Sequence, residues 1–271
     1  GYDLIFWLSD GSVPLLFSKK NLIHFQTPFQ EVGGKNILNR IKFIKVRGVI
    51  CNSNFTKGFI DKEFGVKSIV LYPPVSTGDF SPGKKENIIL YVGRFSTLQQ
   101  SKRQDVLIKC FKKLNLKDWR LILAGGSEVG GKELVQDLKK LAKGTNIDIV
   151  ENLPFDEVKK LYSKAKIFWS AAGYGVKEEE SPEKVEHFGM TLVEGMATGV
   201  VPLATNKGGY KEVIKSGVNG YLWETEEELV ELTNKLINDE RGLNSLGEKA
   251  KKDSEQFSEE RFEKELLEII K

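Results

Sequence analysis

The tract whose reading decides the fold runs Pro182-Glu183-Lys184-Val185-Glu186-His187-Phe188-Gly189-Met190-Thr191-Leu192-Val193-Glu194-Gly195-Met196-Ala197-Thr198-Gly199-Val200-Val201-Pro202. A polar lead gives way at Gly189 to the apolar run MTLVEGMA, which Ala197-Thr198-Gly199 closes before VVPLAT begins. Loop, helix and β-branched strand in immediate succession form the repeating unit of a parallel sheet. The junction at Gly189 also leaves several backbone N–H groups unpaired at the positive end of a helix, a place that favours an anion. Glu186 stands in the loop above this junction. Glu194 stands about a turn and a half into the helix, with seven residues between the two glutamates. Two glutamates at this spacing also occur by chance on ordinary surfaces. What ties these together is the glycine at the turn and the closing helix: amides for phosphate, carboxylates for vicinal hydroxyls.

Outward from this tract the alternation continues. Short runs rich in Ile, Val, Leu and aromatics predict strands at Tyr2–Trp7, Leu22–Phe25, Gly48–Cys51, Ser68–Tyr72, Ile88–Val92, Arg120–Ala124, Ile147–Val150, Ile167–Ser170 and Val200–Ala204. Apolar residues at three- and four-residue spacing predict helices at Arg103–Leu114, Glu133–Ala142, Glu226–Asn238 and Ser258–Ile270. The rhythm is that of an α/β fold: a Rossmann-like parallel sheet with helices on both faces and ligands beyond the carboxyl ends of its strands. Tyr72 to Lys85 holds three prolines and two glycines, continues neither strand nor helix, and reads as a linker. The division expected is therefore 1–75, 76–257, and a last helix, 258–271, returning toward the first part.

Two further strand ends carry candidate chemistry. Tyr91-Val92-Gly93-Arg94 ends a strand in glycine and arginine, with Lys102-Arg103 opening the next helix. Glycine lets a backbone approach closely, and the cations neutralise a pyrophosphate; an arginine beyond a strand is otherwise simply solvated. Ile122-Leu123-Ala124-Gly125-Gly126 is a second strand running into glycines, expected in the floor of a cleft. Gly126 to Lys132 then matches G-x₄-G-K, but Glu133 stands where a magnesium-binding Ser or Thr belongs, so no P-loop is read there. No strand is followed by G-x-G-x-x-G with an acid about 20 residues on, which disfavours a dinucleotide-dependent dehydrogenase.

The bulk numbers exclude other classes. With 40% hydrophobic and 29% charged residues the chain is an ordinary soluble globular sequence, not a disordered one. No apolar run approaches the roughly 20 residues of a membrane span. Cys51 and Cys110 sit apart in apolar contexts and read as reduced core thiols of a cytoplasmic protein. The net charge is +3, but residues 1–75 hold ten Lys/Arg against five Asp/Glu. Five of those cations, Lys35, Arg40, Lys42, Lys45 and Arg47, flank a helical pattern with Ile37, Leu38, Ile41 and Ile44 on one side. That stripe either packs the helix on the sheet or rests it on an anionic membrane.

From Val75 onward the motifs together resemble glycosyltransferase family 4: YVGRFS, SKRQDVLI, LAGG, DEVKKLYSKA, FWSAAGYG, PEKVEHFGMTLVEGMATG and NKGGYKEVIKSGVNGYLW. The resemblance implies a GT-B fold and a retaining, metal-independent transfer from a nucleotide-diphosphate sugar; the chain has no Asp-x-Asp motif. It implies Arg94 and Lys102 on the diphosphate, with Arg103 as an alternative because the insertion STLQQ lengthens the gap. It implies Glu186 on the donor sugar, Glu194 on the ribose diol, and the amides of Gly189, Met190 and Thr191 facing sugar and phosphates. Gly93 and Gly125 would border the donor, and Leu153 and Pro154 would meet the base. The first 75 residues fit the end of the family's acceptor domain less tightly, with His24 of LIHFQTP near the donor sugar and His187 packed beneath its loop.

The mannosyl branch of the family is the nearest in pattern, which implies GDP-mannose or a UDP-sugar as donor. A saccharide or lipid-linked acceptor follows, with peripheral membrane contact and no nucleic-acid partner. Gly1 opens straight into a strand, and a whole family member would begin roughly a hundred residues earlier. The competing expectation is a nucleotide-sugar-binding fragment or subunit without turnover of its own.

Overall fold

The computed structural model describes residues 1–97, 102–128 and 130–271. The end of the STLQQ insertion and Val129 of the G-x₄-G-K stretch lie outside the described residues. Strand and helix alternate from the strand Lys20–Phe25 to the helix Glu226–Asn238, and among the described residues the strands form two sheets, all parallel.

The first sheet takes β1 (Leu4–Ser9), β2 (Lys20–Phe25), β3 (Gly48–Cys51) and β4 (Ile69–Val70) in that order. Helices α1 (Ile37–Phe43) and α2 (Asn54–Phe64) belong to its crossovers. Strand alternation sends Ile23, Phe25, Val49 and Cys51 toward Ile60 and Phe64 on one side. Leu22 and Ile50 face the other way, with Leu71, under Phe262, Leu266, Ile269 and Ile270 of the chain's last helix. β4 is shorter than Ser68–Tyr72 because the prolines after Tyr72 have no N–H for a ladder.

The second sheet has the order β10-β9-β8-β5-β6-β7. Its strands are β5 (Ile88–Val92), β6 (Arg120–Gly125), β7 (Ile147–Glu151), β8 (Ile167–Ser170), β9 (Val201–Thr205) and β10 (Tyr221–Trp223). The helices between them are α3 (Gln104–Leu114), α4 (Gly131–Ala142), α5 (Phe155–Lys164), α6 (Met190–Ala197) and α7 (Tyr210–Val213). Then come α8 (Glu226–Asn238), α9 (Glu240–Ser254) and α10 (Glu259–Ile270). Both faces are buried, as a parallel sheet requires: Ile89, Tyr91 and Trp169 face one core, Leu90, Ile122 and Phe168 the other. Chain order runs outward from β5 on one side and from β8 on the other, so the switch point lies between those two strands.

The connection between the sheets is double. Val75 in the outgoing linker donates its N–H to the Phe257 carbonyl at 2.9 Å, just before α10 returns to the first sheet. Arg261 of α10 then donates to the Tyr72 carbonyl at 3.0 Å and the Pro73 carbonyl at 3.3 Å. Four elements were not among those read from the sequence: α2, the four-residue α7, the three-residue β10, and α9, whose sequence ERGLNSLGEKAKKDS is largely polar. The α1 region also differs from the packed-stripe expectation. Phe43 and Val46 turn inward, whereas Ile37, Leu38, Ile41 and Ile44 are 53–79% exposed.

Candidate functional site

A cleft of about 440 Å³ opens at the carboxyl ends of β5 and β8, the switch-point position where open α/β sheets take their ligands. Its volume lies within the ordinary range for a small-molecule site. The second sheet contributes Gly93, Arg94, Lys102, Ser170 and Tyr210, and the tract of the opening contributes Glu186 to Thr191. The first sheet faces it with Gln26, Thr27 and Asn52, which follow β2 and β3.

Glycine is required where β5 and β6 end. A Cβ on Gly125 would stand 1.9 Å from the Gly93 carbonyl oxygen, and one on Gly93 would stand 2.4 Å from the Tyr91 hydroxyl. Gly125 therefore lies beneath Gly93 and lets it reach the cleft, without lining the cleft itself. Arg94 extends from this floor and meets Glu128 at 3.3 Å, both side chains about half exposed. Lys102 comes from the start of α3 and places Nζ 2.8 Å from Glu186 Oε2. This pair is well covered, at 12% and 17% exposure. Burial alone would raise the Glu186 carboxyl, but the Lys102 charge and hydrogen bond bring it below the ordinary value. Arg103 is engaged elsewhere: its guanidinium holds both oxygens of Asp105 and the Tyr174 carbonyl, and stacks on the Tyr174 ring. Of the two cations weighed for this position, Lys102 is the one in the cleft.

Gly189 adopts φ 103°, which a side chain rarely tolerates, and begins α6 with no side-chain cap. The first amides of that helix, at Met190 and Thr191, thus open toward the cleft and supply the positive end of a dipole. The loop before it is braced from α7, where the Gly209 N–H donates to the Glu186 carbonyl at 2.8 Å. Tyr210 donates to or accepts from Ser170 at 2.7 Å at the end of β8.

Besides Gly125, the expected residues Glu194, Leu153, Pro154 and His24 lie outside the cleft lining. Glu194 sits one turn below Thr191, where Oε2 accepts from the Tyr162 hydroxyl at 2.9 Å; burial raises its carboxyl. Leu153 follows β7 at the entry to α5, half-buried. His24 is 5% exposed and meets the Phe6 ring edge-on at 5.6 Å. Burial takes its imidazole down to about 4, so the ring is neutral at pH 7. The cleft is faced instead by Gln26, two residues on, whose carbonyl accepts from His187 Nδ1 at 3.1 Å. Gln26, Asn52, Ser170, Tyr210 and His187 are lining residues beyond those expected; four follow or end strands or start α7, positions the switch-point rule marks. Another cavity of about 470 Å³ lies at Gln30–Asn36 and Lys62–Glu63. Its three loop amides, of Glu31, Val32 and Gly34, are already taken by the Glu63 carboxylate.

Among solved structures of this architecture is Anabaena HepE in complex with UDP, with a TM-score of 0.76 at 18% identity; the match covers 92% of this chain and 71% of that one. The fold is GT-B, a Rossmann-like α/β fold of glycosyltransferases. Residues 78–253 match the family model described as glycosyl transferases group 1, and the chain belongs to that family. The "GDP-Man:Man(3)GlcNAc(2)-PP-Dol alpha-1,2-mannosyltransferase" of Dictyostelium discoideum is 27% identical over 252 residues, 85% of this chain and 47% of the relative. An uncharacterised glycosyltransferase of Methanocaldococcus jannaschii is 30% identical over 218 residues, 79% of this chain and 56% of the relative. The chain thus spans about half the length of the curated relatives it matches.

Proposed function

We propose that this chain is the donor-binding part, with part of the acceptor-binding domain, of a retaining family 4 glycosyltransferase, and that Glu186 to Glu194 is its E-x₇-E motif. In this reading residues 76–257 bind the donor, residues 1–75 face the acceptor, and 258–271 complete the acceptor side. The observation that carries it is the convergence of Arg94, Lys102 and the uncapped α6 terminus on one side of Glu186, at the switch point of the sheet. Two cations and a helix dipole match a diphosphate without a metal. Glu186 would accept from donor-sugar hydroxyls and Glu194, one turn deeper, from the ribose.

The acceptor hydroxyl would attack the anomeric carbon from the face the diphosphate leaves. The carbon–oxygen bond to the diphosphate breaks, the new glycosidic bond forms, and the hydroxyl proton passes to the departing diphosphate oxygen. Aimed charges contribute on the order of 3–4 kcal/mol each to such a step. GDP-mannose is the preferred donor, supported by the names of the mannosyltransferase relatives; a UDP-sugar is the alternative. A lipid-linked acceptor at a membrane surface fits the names of the same relatives and the outward apolar stripe of α1, flanked by cations. No described helix is long and apolar enough to cross a membrane, and the contact proposed for this chain is peripheral. The shorter span relative to those relatives favours one second reading, a unit that binds the nucleotide sugar and turns over only with a further segment or chain.

Calorimetric titration with GDP, UDP and their sugars, with and without EDTA, tests the donor site. Glu194→Ala should weaken every nucleotide by about 1.5–3 kcal/mol. Glu186→Ala should spare the free nucleotide and weaken the nucleotide sugar. Collapse of binding in EDTA, or equal losses in both variants, would overturn the assignment. Transfer of labelled mannose to a lipid-linked oligosaccharide separates the enzyme from the binding unit.

A further inference from the structure

The two units meet at one carboxylate. Glu212, on α7 of the second unit, receives four hydrogen bonds across the boundary. Its Oε1 accepts from the Phe55 N–H at 2.7 Å. Its Oε2 accepts from the Asn54 N–H at 2.8 Å, Asn54 Nδ2 at 2.9 Å and the Tyr72 hydroxyl at 2.9 Å. Asn54 and Phe55 open α2, whose Ser53 cap covers only the Thr56 N–H. Glu212 therefore covers amides that the cap leaves open, and its charge meets the positive end of the α2 dipole. Burial, followed by Glu212, pushes the Tyr72 hydroxyl up to about 12, so it stays a donor at any working pH.

Apart from the Val75–Phe257 and Arg261 bonds where the linker meets α10, the other bonds between the units among the described residues are single and uncharged: His187 Nδ1 to the Gln26 carbonyl at 3.1 Å, and Gln30 Nε2 to the Glu180 carbonyl at 2.9 Å. Charge-assisted bonds are roughly twice as strong as neutral ones, so Glu212 dominates this set. From it two short connections lead to the cleft. Three residues earlier, Gly209 donates to the Glu186 carbonyl, and a Cβ there would stand 2.2 Å from the His187 carbonyl oxygen. The head of α7 is thus seated against the Glu186–His187 backbone. The Tyr72 ring lies 5.7 Å from Phe188, in the same loop. Glu212 itself does not line the cleft.

We propose that Glu212 is a positioning residue for the transfer: it clamps α2 to α7 and so holds Gln26 and Asn52 opposite Glu186 and the α6 terminus. This rests on the transferase reading above, but its first test needs no substrate. Spin labels on Lys62→Cys of α2 and Lys112→Cys of α3, both exposed, report the separation of the units by pulsed dipolar spectroscopy; Cys51 and Cys110 are buried and do not label. The parent should give one narrow distance. Glu212→Ala should give a broader and longer distribution, and Glu212→Gln, which keeps an acceptor oxygen without the charge, an intermediate one. In the transfer assay Glu212→Ala should lower turnover about tenfold or more, as misplacement of reacting groups does. Nucleotide affinity should stay within about twofold of the parent.

Tyr72→Phe removes one of the four bonds and leaves the α2 amides covered; its mild broadening keeps the test open should Glu212→Ala fold poorly. Identical distances in the parent and in Glu212→Ala overturn the clamp. So does a parallel loss of nucleotide affinity and turnover, which would make Glu212 part of the donor site. A chain that transfers no sugar removes the transferase reading while the label distances still decide on the clamp.

Discussion

Replacing Lys102 by methionine keeps most of its aliphatic volume and removes the charge that Glu186 faces. The pair is 2.8 Å apart and mostly buried. At that separation the attraction is about 6 kcal/mol for an effective dielectric near 20, and in the parent it offsets the desolvation of both groups. The variant keeps the desolvation of Glu186 without the attraction, so a loss of about 3–5 kcal/mol of folding free energy is expected at pH 7. The pH dependence gives the sign. In the parent the Glu186 carboxyl is depressed, so its contribution is present above the unfolded value and lost as pH falls through the native one. In Lys102→Met burial, the largest cause, is opposed only by His187, and the native value rises above the unfolded one. Its contribution is then present at low pH and lost as pH rises. The penalty relative to the parent should therefore shrink between pH 7 and pH 4. Urea unfolding of both proteins at the two pH values measures it. A penalty below about 1 kcal/mol at pH 7, the range of an exposed pair, or one equal at both pH values, would refute the reasoning.

Gly125→Ala places a methyl 1.9 Å from the Gly93 carbonyl oxygen, and should cost about 1–3 kcal/mol by overpacking; an unchanged Tm would show that the strand ends part freely. Glu128→Gln releases Arg94 from a half-exposed pair, worth at most about 1 kcal/mol. Titration with GDP should accordingly show affinity up by no more than about fivefold, and a fall would count against Arg94 as a diphosphate ligand. Co-sedimentation should show the parent on phosphatidylglycerol vesicles at low salt, with Ile37→Asp/Ile41→Asp reduced; equal, negligible binding to anionic and neutral vesicles removes the membrane contact.

Much of the fold was legible because parallel strands buried on both faces are continuous apolar runs. Ile88–Val92, Gly48–Cys51 and Ile167–Ser170 carry that signal at full strength, and their bounds agree with the structure. β10 was not legible: three residues cannot show a period, and Tyr221 pairs only with the edge it finds in β9. The site divides in the same way. Glycine spacing at Gly93, Gly125 and Gly189 marks backbone that must come close, and the structure uses all three. Side-chain direction is another matter. His24 turns from the cleft because its place in β2 puts it with Leu22 on the α10 side, and only register against the neighbouring strands decides that. The Glu212 contacts join residues 140 or more positions apart, a pairing that local pattern does not carry.

The return of α10 to the first sheet has a consequence for biosynthesis. Residues 88–254 contain every strand of the second sheet and the helices that cover it, so this unit can consolidate as soon as α9 leaves the ribosome. The first sheet is synthesised earlier but has one face, around Leu22, Ile50 and Leu71, without cover until Phe262 to Ile270 emerge. Domains generally fold in order of synthesis; here the first sheet is made before the second and sealed after it. During that interval the nascent chain presents the apolar sheet face that α10 later covers.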